Sequence, residues 1–189
     1  MHSPDVNLLF SRGCYSNVGR TGRSQIINLG PRCRTLGIVA HEIGHAIGFF
    51  HEQSRSDRDK YVTVLLQNVI PGTENNFRKY PRSIIDSLGT PYDYRSLMHY
   101  ASRAFSKNGR LRTIITKNPR YQGVIGQRRG LSPIDAQQAN LLYRNECRKR
   151  GGGGAVCRDR WRFCRWRPVS QCRNSRVRRN CMKRCNQCR

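Results

Sequence analysis

Acidic residues are scarce in this chain. Its 189 residues hold 11 Asp and Glu against 36 Lys and Arg, a formal net charge of +25. That imbalance excludes an electrically neutral surface and favours anionic partners such as acidic polysaccharide, acidic matrix protein or anionic lipid head groups. Nucleic acid would adhere to such a charge non-specifically. No nucleic-acid recognition pattern is present, so no specific nucleic-acid partner is expected. Long apolar runs are also lacking. No stretch approaches the roughly 20 residues that a membrane-spanning helix needs, so no transmembrane segment is expected. The opening MHSPDVNLLF has neither a positively charged start nor an apolar core long enough for a secretory signal. Hydrophobic residues make up 37% and aromatics 8%, enough for one medium domain and a small module but not for a generous core.

Cysteine is plentiful. Of nine in all, six fall between Cys157 and Cys188. Such density reads as a disulfide-stapled module from an oxidising compartment, so a secreted, extracellular protein is expected. The charge is uneven too. Residues 1–147 hold 21 basic and 10 acidic residues, net +11; residues 148–189 hold 15 and 1, net +14. The run Gly151-Gly152-Gly153-Gly154 reads as a linker. Three segments are therefore expected: a main domain at 1–147, a basic, glycine-rich linker at 148–156 and a small module at 157–188.

Within the main domain, residues 1–34 read as strands and turns. Cys14 and Cys33 bracket the strand-like Gln25-Ile26-Ile27-Asn28-Leu29, which suggests a hairpin or ribbon closed by a Cys14–Cys33 disulfide. Leu36, Val39, Ile43, Ala46, Ile47 and Phe50 recur at helical spacing, predicting a helix over 35–50 with Thr35 as its cap. Residues 60–131 are rich in turn signals and read as irregular structure. A second helix is predicted over 132–146, with Ser132 as cap, Pro133 in the first helical position and Asp135 near the positive end of the dipole.

The first of these helices carries the chemistry. In His41-Glu42-Ile43-Gly44-His45, residues four apart lie on one helical face, so both imidazoles can reach one metal ion. Glu42 points to the flank, where it can take a proton from water without occupying a coordination site. Two surface histidines on an ordinary helix would be the bland reading. Gly48 and His51 argue against it. Glycine accepts the left-handed backbone that ends a helix, and the turning chain can then bring His51 in as a third ligand. Three nitrogen ligands leave a position open, the catalytic rather than the closed structural arrangement. H-E-x-x-H-x-x-G-x-x-H is the metzincin signature, whose second part is a methionine turn. Ser96-Leu97-Met98-His99-Tyr100 supplies it, with Met98 packing beneath the imidazoles and His99 more structural than ligating.

The segments HEIGHAIGFFHEQSRSDRD at 41–59, SLMHY at 96–100 and IGQRRGLSPIDAQQANLLY at 125–143 together resemble the astacin family of metalloendopeptidases over roughly residues 8–147. The resemblance implies an α+β, two-lobed metzincin domain that binds one Zn2+ per chain. His41, His45 and His51 match the zinc ligands and Glu42 the catalytic acid/base. Tyr100 matches a tyrosine that ligates zinc at rest and swings away to stabilise the tetrahedral intermediate. Cys14 and Cys33 match a bonded pair. Cys14, Tyr15 and Ser16 match the edge strand that pairs with extended substrate. The segment from Lys117 to Arg129, with Arg120 and Arg128, lies where the family places the wall that meets the residue after the scissile bond, so acidic residues are expected there. Glu52 matches the residue that pairs with a buried mature N-terminus. Cys147 matches a cysteine whose partner lies before this chain's first residue, and a helix and strands expected ahead of Cys14 are missing. An N-terminally incomplete catalytic domain is therefore expected.

The cysteines at 157, 164, 172, 181, 185 and 188 enclose 6, 7, 8, 3 and 2 residues, which leaves 15 possible pairings. With the closing C-x-x-x-C-x-x-C they resemble an ShK toxin-like (ShKT) module, whose pairing implies Cys157–Cys188, Cys164–Cys181 and Cys172–Cys185. The toxin pattern of lysine followed by tyrosine is not met, so targeting of substrate or anionic matrix is expected rather than channel block. Zinc-dependent hydrolysis of peptide bonds in extracellular proteins is the expected function. The competing class is a catalytically incompetent, truncated form that acts as a cationic, disulfide-rich binding or channel-modulating protein.

Overall fold

A computed structural model of the chain describes residues 5–144. The chain divides into two compact units, residues 1–139 and 140–189. Cys147, the linker at 148–156 and the module at 157–188 with its three expected disulfides lie outside the described residues.

The first part of the chain builds a small sheet against a helix. Strands β1 (Val6–Leu9), β2 (Cys14–Ser16) and β3 (Gln25–Leu29) lie in the order β1-β3-β2. β3 pairs antiparallel with β2, Tyr15 opposite Asn28, and parallel with β1, Leu8 opposite Ile27. The expected hairpin is therefore one edge of a three-stranded mixed sheet. β3 sits in the middle because its side chains suit burial: Ile27 and Leu29 pack with Cys33 against Ile38, Val39 and Ala46. Asn28 is fully buried on the same strand. Its amide oxygen accepts from the main chain and hydroxyl of Ser11, and its nitrogen donates to the carbonyls of Arg12 and Gly13. This buried amide, fully satisfied, fixes the turn that delivers edge strand β2. A Cys14–Cys33 disulfide closes the unit, as expected.

Helix α1 spans Leu36–Ala46 and is shorter than the expected 35–50. Thr35 occupies the cap position in extended conformation, without a side-chain cap bond. At the other end Gly48 takes φ +110°. The amide of Gly48 donates to His45 O and that of Phe49 to Gly44 O, both at 2.9 Å. These are the two bonds of a Schellman motif, which a glycine at this position permits. The apolar residues beyond it continue the pattern by composition but not by conformation.

The second part of the chain has its own core. Strands β4 (Val62–Val64) and β5 (Ile114–Thr116) pair antiparallel. Val62, Val69, Phe77, Tyr92, Ile114 and Ile125 are buried together there. Short 3-10 turns carry most of the rest, as the turn signals implied. Helix α2 spans Pro133–Leu142, and residues 145 and 146 of the expected span lie outside the described residues. Its start is a reciprocal capping box. Ser132 Oγ accepts from the amide of Asp135 at 2.9 Å, and Asp135 Oδ2 accepts from the amide of Ser132 at 2.8 Å.

One close approach locks α1 to the loop before α2. A methyl group at Gly37 would lie 1.7 Å from the carbonyl oxygen of Arg128. Helix propensity alone would make Gly37→Ala stabilising by up to about 1 kcal/mol. Overpacking against a main-chain oxygen costs up to about 3 kcal/mol. The expected result is a net loss of about 2 kcal/mol in denaturant unfolding; a stabilised variant would contradict this packing.

Candidate metal centre and cleft

A cleft of about 480 Å³ runs past α1, with Cys14, Tyr15 and Ser16 on one wall and His41, Glu42 and Tyr100 deeper in. The imidazoles are aimed by main-chain carbonyls. His41 Nδ1 lies 2.9 Å from Leu97 O, and His45 Nδ1 lies 2.8 Å from Phe49 O. A carbonyl only accepts, so each Nδ1 carries the proton and each Nε2 keeps its lone pair. Those nitrogens converge: His45 Nε2 is 3.1 Å and His41 Nε2 is 3.3 Å from His51 Nε2. The three ligand atoms lie within 4.8 Å of one another.

Burial keeps these rings neutral. It lowers the pKa of His41 to about 4, with the charge of Arg128 adding to the effect. Burial likewise lowers His45, and lowers His51 well below the ordinary value. Neutral imidazoles with inward lone pairs are the donor set a transition metal requires, so the triad fits a single metal ion. His99, by contrast, is turned away. It is fully buried, with Nδ1 donating to Tyr100 O and Nε2 accepting from the Tyr92 hydroxyl, each at 2.7 Å.

Glu42 sits beside the triad with its Oε2 buried and unpartnered among the described residues. Burial raises its pKa to about 7, against the opposing pull of Arg128. A carboxyl poised there can both take and return a proton near neutrality. Tyr100 stands 4.3 Å ring to ring from His51. Burial pushes its phenol up to about 12, so it is a hydrogen-bond donor at neutral pH. Its amide is fixed by Gln53 Oε1 at 3.0 Å. Met98 lies under the helix at Gly44, where a methyl group would come 2.8 Å from the methionine sulfur.

Other expected site residues fall differently. Glu52 is buried and accepts from Arg55 at 3.2 Å and from the amide of Asp93 at 2.8 Å. Arg120 is exposed on a 3-10 turn, and neither it nor Arg128 lines the cleft. Arg128 instead spends its Nη1 on the carbonyls of Leu97, His99 and Gln127. Asp135, read from the sequence only as a dipole partner, is a hub. It accepts from Ser96 Oγ at 2.7 Å and from the Leu97 amide at 2.8 Å, besides capping α2. The S-x-x-D spacing marks the cap, but nothing in it reveals the bonds to the methionine turn.

Three histidines on and after a helix, above a buried methionine turn, define a metal centre of the metzincin type. The model of the Astacin peptidase family matches residues 3–144, and the chain belongs to this family. It is 55% identical over 133 residues to zinc metalloproteinase nas-30 of Caenorhabditis elegans, an alignment covering 70% of this chain and 18% of that protein. Protein SpAN of Strongylocentrotus purpuratus is 46% identical over 147 residues, covering 77% and 23%. Among solved structures, High choriolytic enzyme 1, a hatching enzyme zinc-protease from Oryzias latipes, matches with a TM-score of 0.71 at 40% identity, covering 76% of this chain and 70% of that one. The chain thus spans less than a third of the length of the curated relatives it matches. Among the described residues, no helix is long and apolar enough to cross a membrane.

The buried groups set the pH response of the metal-free protein. His41 and His99, held near 4, and the lowered His45 and His51 stay neutral in the fold but protonate below about 6.5 when unfolded. Their contribution is present above pH 6.5 and lost as pH falls towards 4. Glu42 and Glu52, raised from 4.5 to about 7, act oppositely: they favour the fold below 4.5 and lose that effect as pH rises through 7. Between 4.5 and 6.5 four imidazoles outweigh two carboxyls. The melting temperature of the metal-free chain should fall as pH drops through this window; a flat or rising profile would refute the assignment.

Proposed function

We propose that the chain is a zinc-dependent endopeptidase in which His41, His45 and His51 hold the metal and Glu42 is the general base. The observation that carries this reading is the convergence of three Nε2 lone pairs beside the Glu42 carboxyl, whose Oε2 is unpartnered among the described residues. Zinc, when bound, would polarise the scissile carbonyl and lower the pKa of a water, to about 7 in comparable sites.

The chain's own residues supply the rest. Glu42 takes the proton of the attacking water and then passes it to the leaving amine. Tyr100 would complete the zinc coordination at rest. With substrate present its protonated phenol donates to the oxygen on which negative charge develops. Extended substrate would add to the outer edge of β2 at Cys14–Ser16, which among the described residues pairs only with β3, the β-addition mode of peptide recognition. Tyr15 is half exposed on that strand, at 52%. The expected preference for acidic residues after the scissile bond draws no support from Arg120 or Arg128, since neither lines the cleft.

Substrates are peptide bonds in extracellular proteins, consistent with the Cys14–Cys33 disulfide and the cysteine-rich C-terminal segment. That segment, residues 157–188, is proposed as an ShKT module that holds anionic matrix near the active site. A non-catalytic, cationic binding protein is the weaker reading, because the groups needed for hydrolysis converge in one cleft.

Casein or gelatin hydrolysis should be abolished by a zinc chelator and restored by added zinc. Glu42→Gln should retain zinc and lower turnover by about 10²- to 10⁴-fold; full activity would sink the mechanism. Tyr100→Phe should lower kcat by about 10²-fold or more with little effect on KM, and an unchanged kcat would remove Tyr100 from the oxyanion role.

A further inference from the structure

One peptide group, that of Leu97, is gripped at both ends, by the buried Asp135 and the half-buried Arg128. Its amide donates to Asp135 Oδ2 at 2.8 Å. Its carbonyl accepts from Arg128 Nη1 at 3.0 Å and from His41 Nδ1 at 2.9 Å. Leu97 is completely buried, so water cannot replace either bond. The same guanidinium nitrogen reaches His99 O at 3.2 Å and Gln127 O at 2.9 Å. Arg128 thereby bonds the main chain on both sides of Met98. Its own backbone is set by the close approach of its carbonyl to Gly37 in the first turn of α1.

A guanidinium withdrawn from solvent even in part is commonly paired with a carboxylate. Among the described residues Arg128 forms no ion pair; main-chain carbonyls take that place. We infer that Arg128 is a positioning residue for the metal centre, holding the Leu97 carbonyl that orients the ring of His41. Asp135 fixes the other end of the same peptide. The inference rests on reading His41, His45 and His51 as metal ligands. It replaces the substrate-contact role that sequence position suggested for Arg128.

Charge and geometry make opposite forecasts here. The positive charge of Arg128 reaches all three imidazoles. If charge governed metal binding, removing it would tighten zinc. If positioning governs, removal lets the carbonyl and the ring drift, and zinc binds more weakly. Loss of a group that orients a metal-ligating histidine typically costs about 10- to 100-fold in affinity.

The test uses the full chain carrying Arg128→Met or Arg128→Lys. Zinc dissociation constants are measured by competition with a chromophoric chelator, alongside kcat, KM and the melting curve of the metal-free form. Arg128→Met should weaken zinc by about 10- to 100-fold, with a cooperative melt and KM little moved. Arg128→Lys keeps the charge and one donor, and should fall between. Zinc bound as tightly as in the unsubstituted chain, or more tightly, overturns the inference, as does a defect confined to KM. Should Arg128→Met fail to fold, Arg128→Lys decides: weakened zinc with a cooperative melt supports the role, and unchanged affinity overturns it. No zinc binding by the unsubstituted chain would instead overturn the metal reading itself.

Discussion

The cleft depends on one constraint: a buried imidazole must give its Nδ1 proton to something fixed. At His41 that partner is Leu97 O, and at His45 it is Phe49 O. Once each Nδ1 is committed, each Nε2 has nowhere to aim but inward, and the lone pairs meet. The two acceptors are built differently. Phe49 O is placed by the helix end itself, because the Schellman motif at Gly48 fixes the residues that follow α1. Leu97 O is placed from a distance, by a peptide held between Asp135 and Arg128. Both aim a histidine, but the first is a local property of the chain and the second is assembled from three separate segments.

The same buried segments account for the ionic residues below the metal centre. Glu52, Asp93 and Asp135 are all buried. Each is consumed by main-chain amides or hydroxyls. Glu52 takes the Asp93 amide, Asp93 takes the Ser132 hydroxyl, and Asp135 takes the amides of Leu97 and Ser132. Arg55 supplies the counter-charge for Glu52 and Asp57 and donates to the carbonyls of Thr90 and Pro91. Ionic groups buried this way hold irregular backbone in one geometry where there is too little regular structure to do so. That matters for residues 50–131, which pass through short turns between β4 and β5 and yet must carry His51, Met98 and Tyr100 to one cleft.

Much of the site could be read from the chain. The His41–His45 spacing, the glycine that ends the helix, the third histidine and the methionine turn each follow from local rules. The Ser132 cap followed from its neighbours. The length of α1 did not, because Phe49 and Phe50 keep an apolar pattern after the backbone has left the helix. The parallel partner of β3 was also hidden, since short exposed strands such as β1 declare neither direction nor neighbour. Arg128 reads as a substrate contact because it is basic and lies near an expected substrate wall, and its bonds to three main-chain carbonyls are visible only in the fold.

The sequence by itself determined which side chains could bind a metal and act as base, because a helix repeats every 3.6 residues and spacing alone puts His41 and His45 on one face. Tertiary structure decided what orients His41. His41 meets its acceptor 56 residues away, and that acceptor's peptide is held from 38 and 31 residues further on. No local pattern encodes such bonds. They exist because burial forbids an unpaired polar group, and only the folded chain determines which partner each one finds.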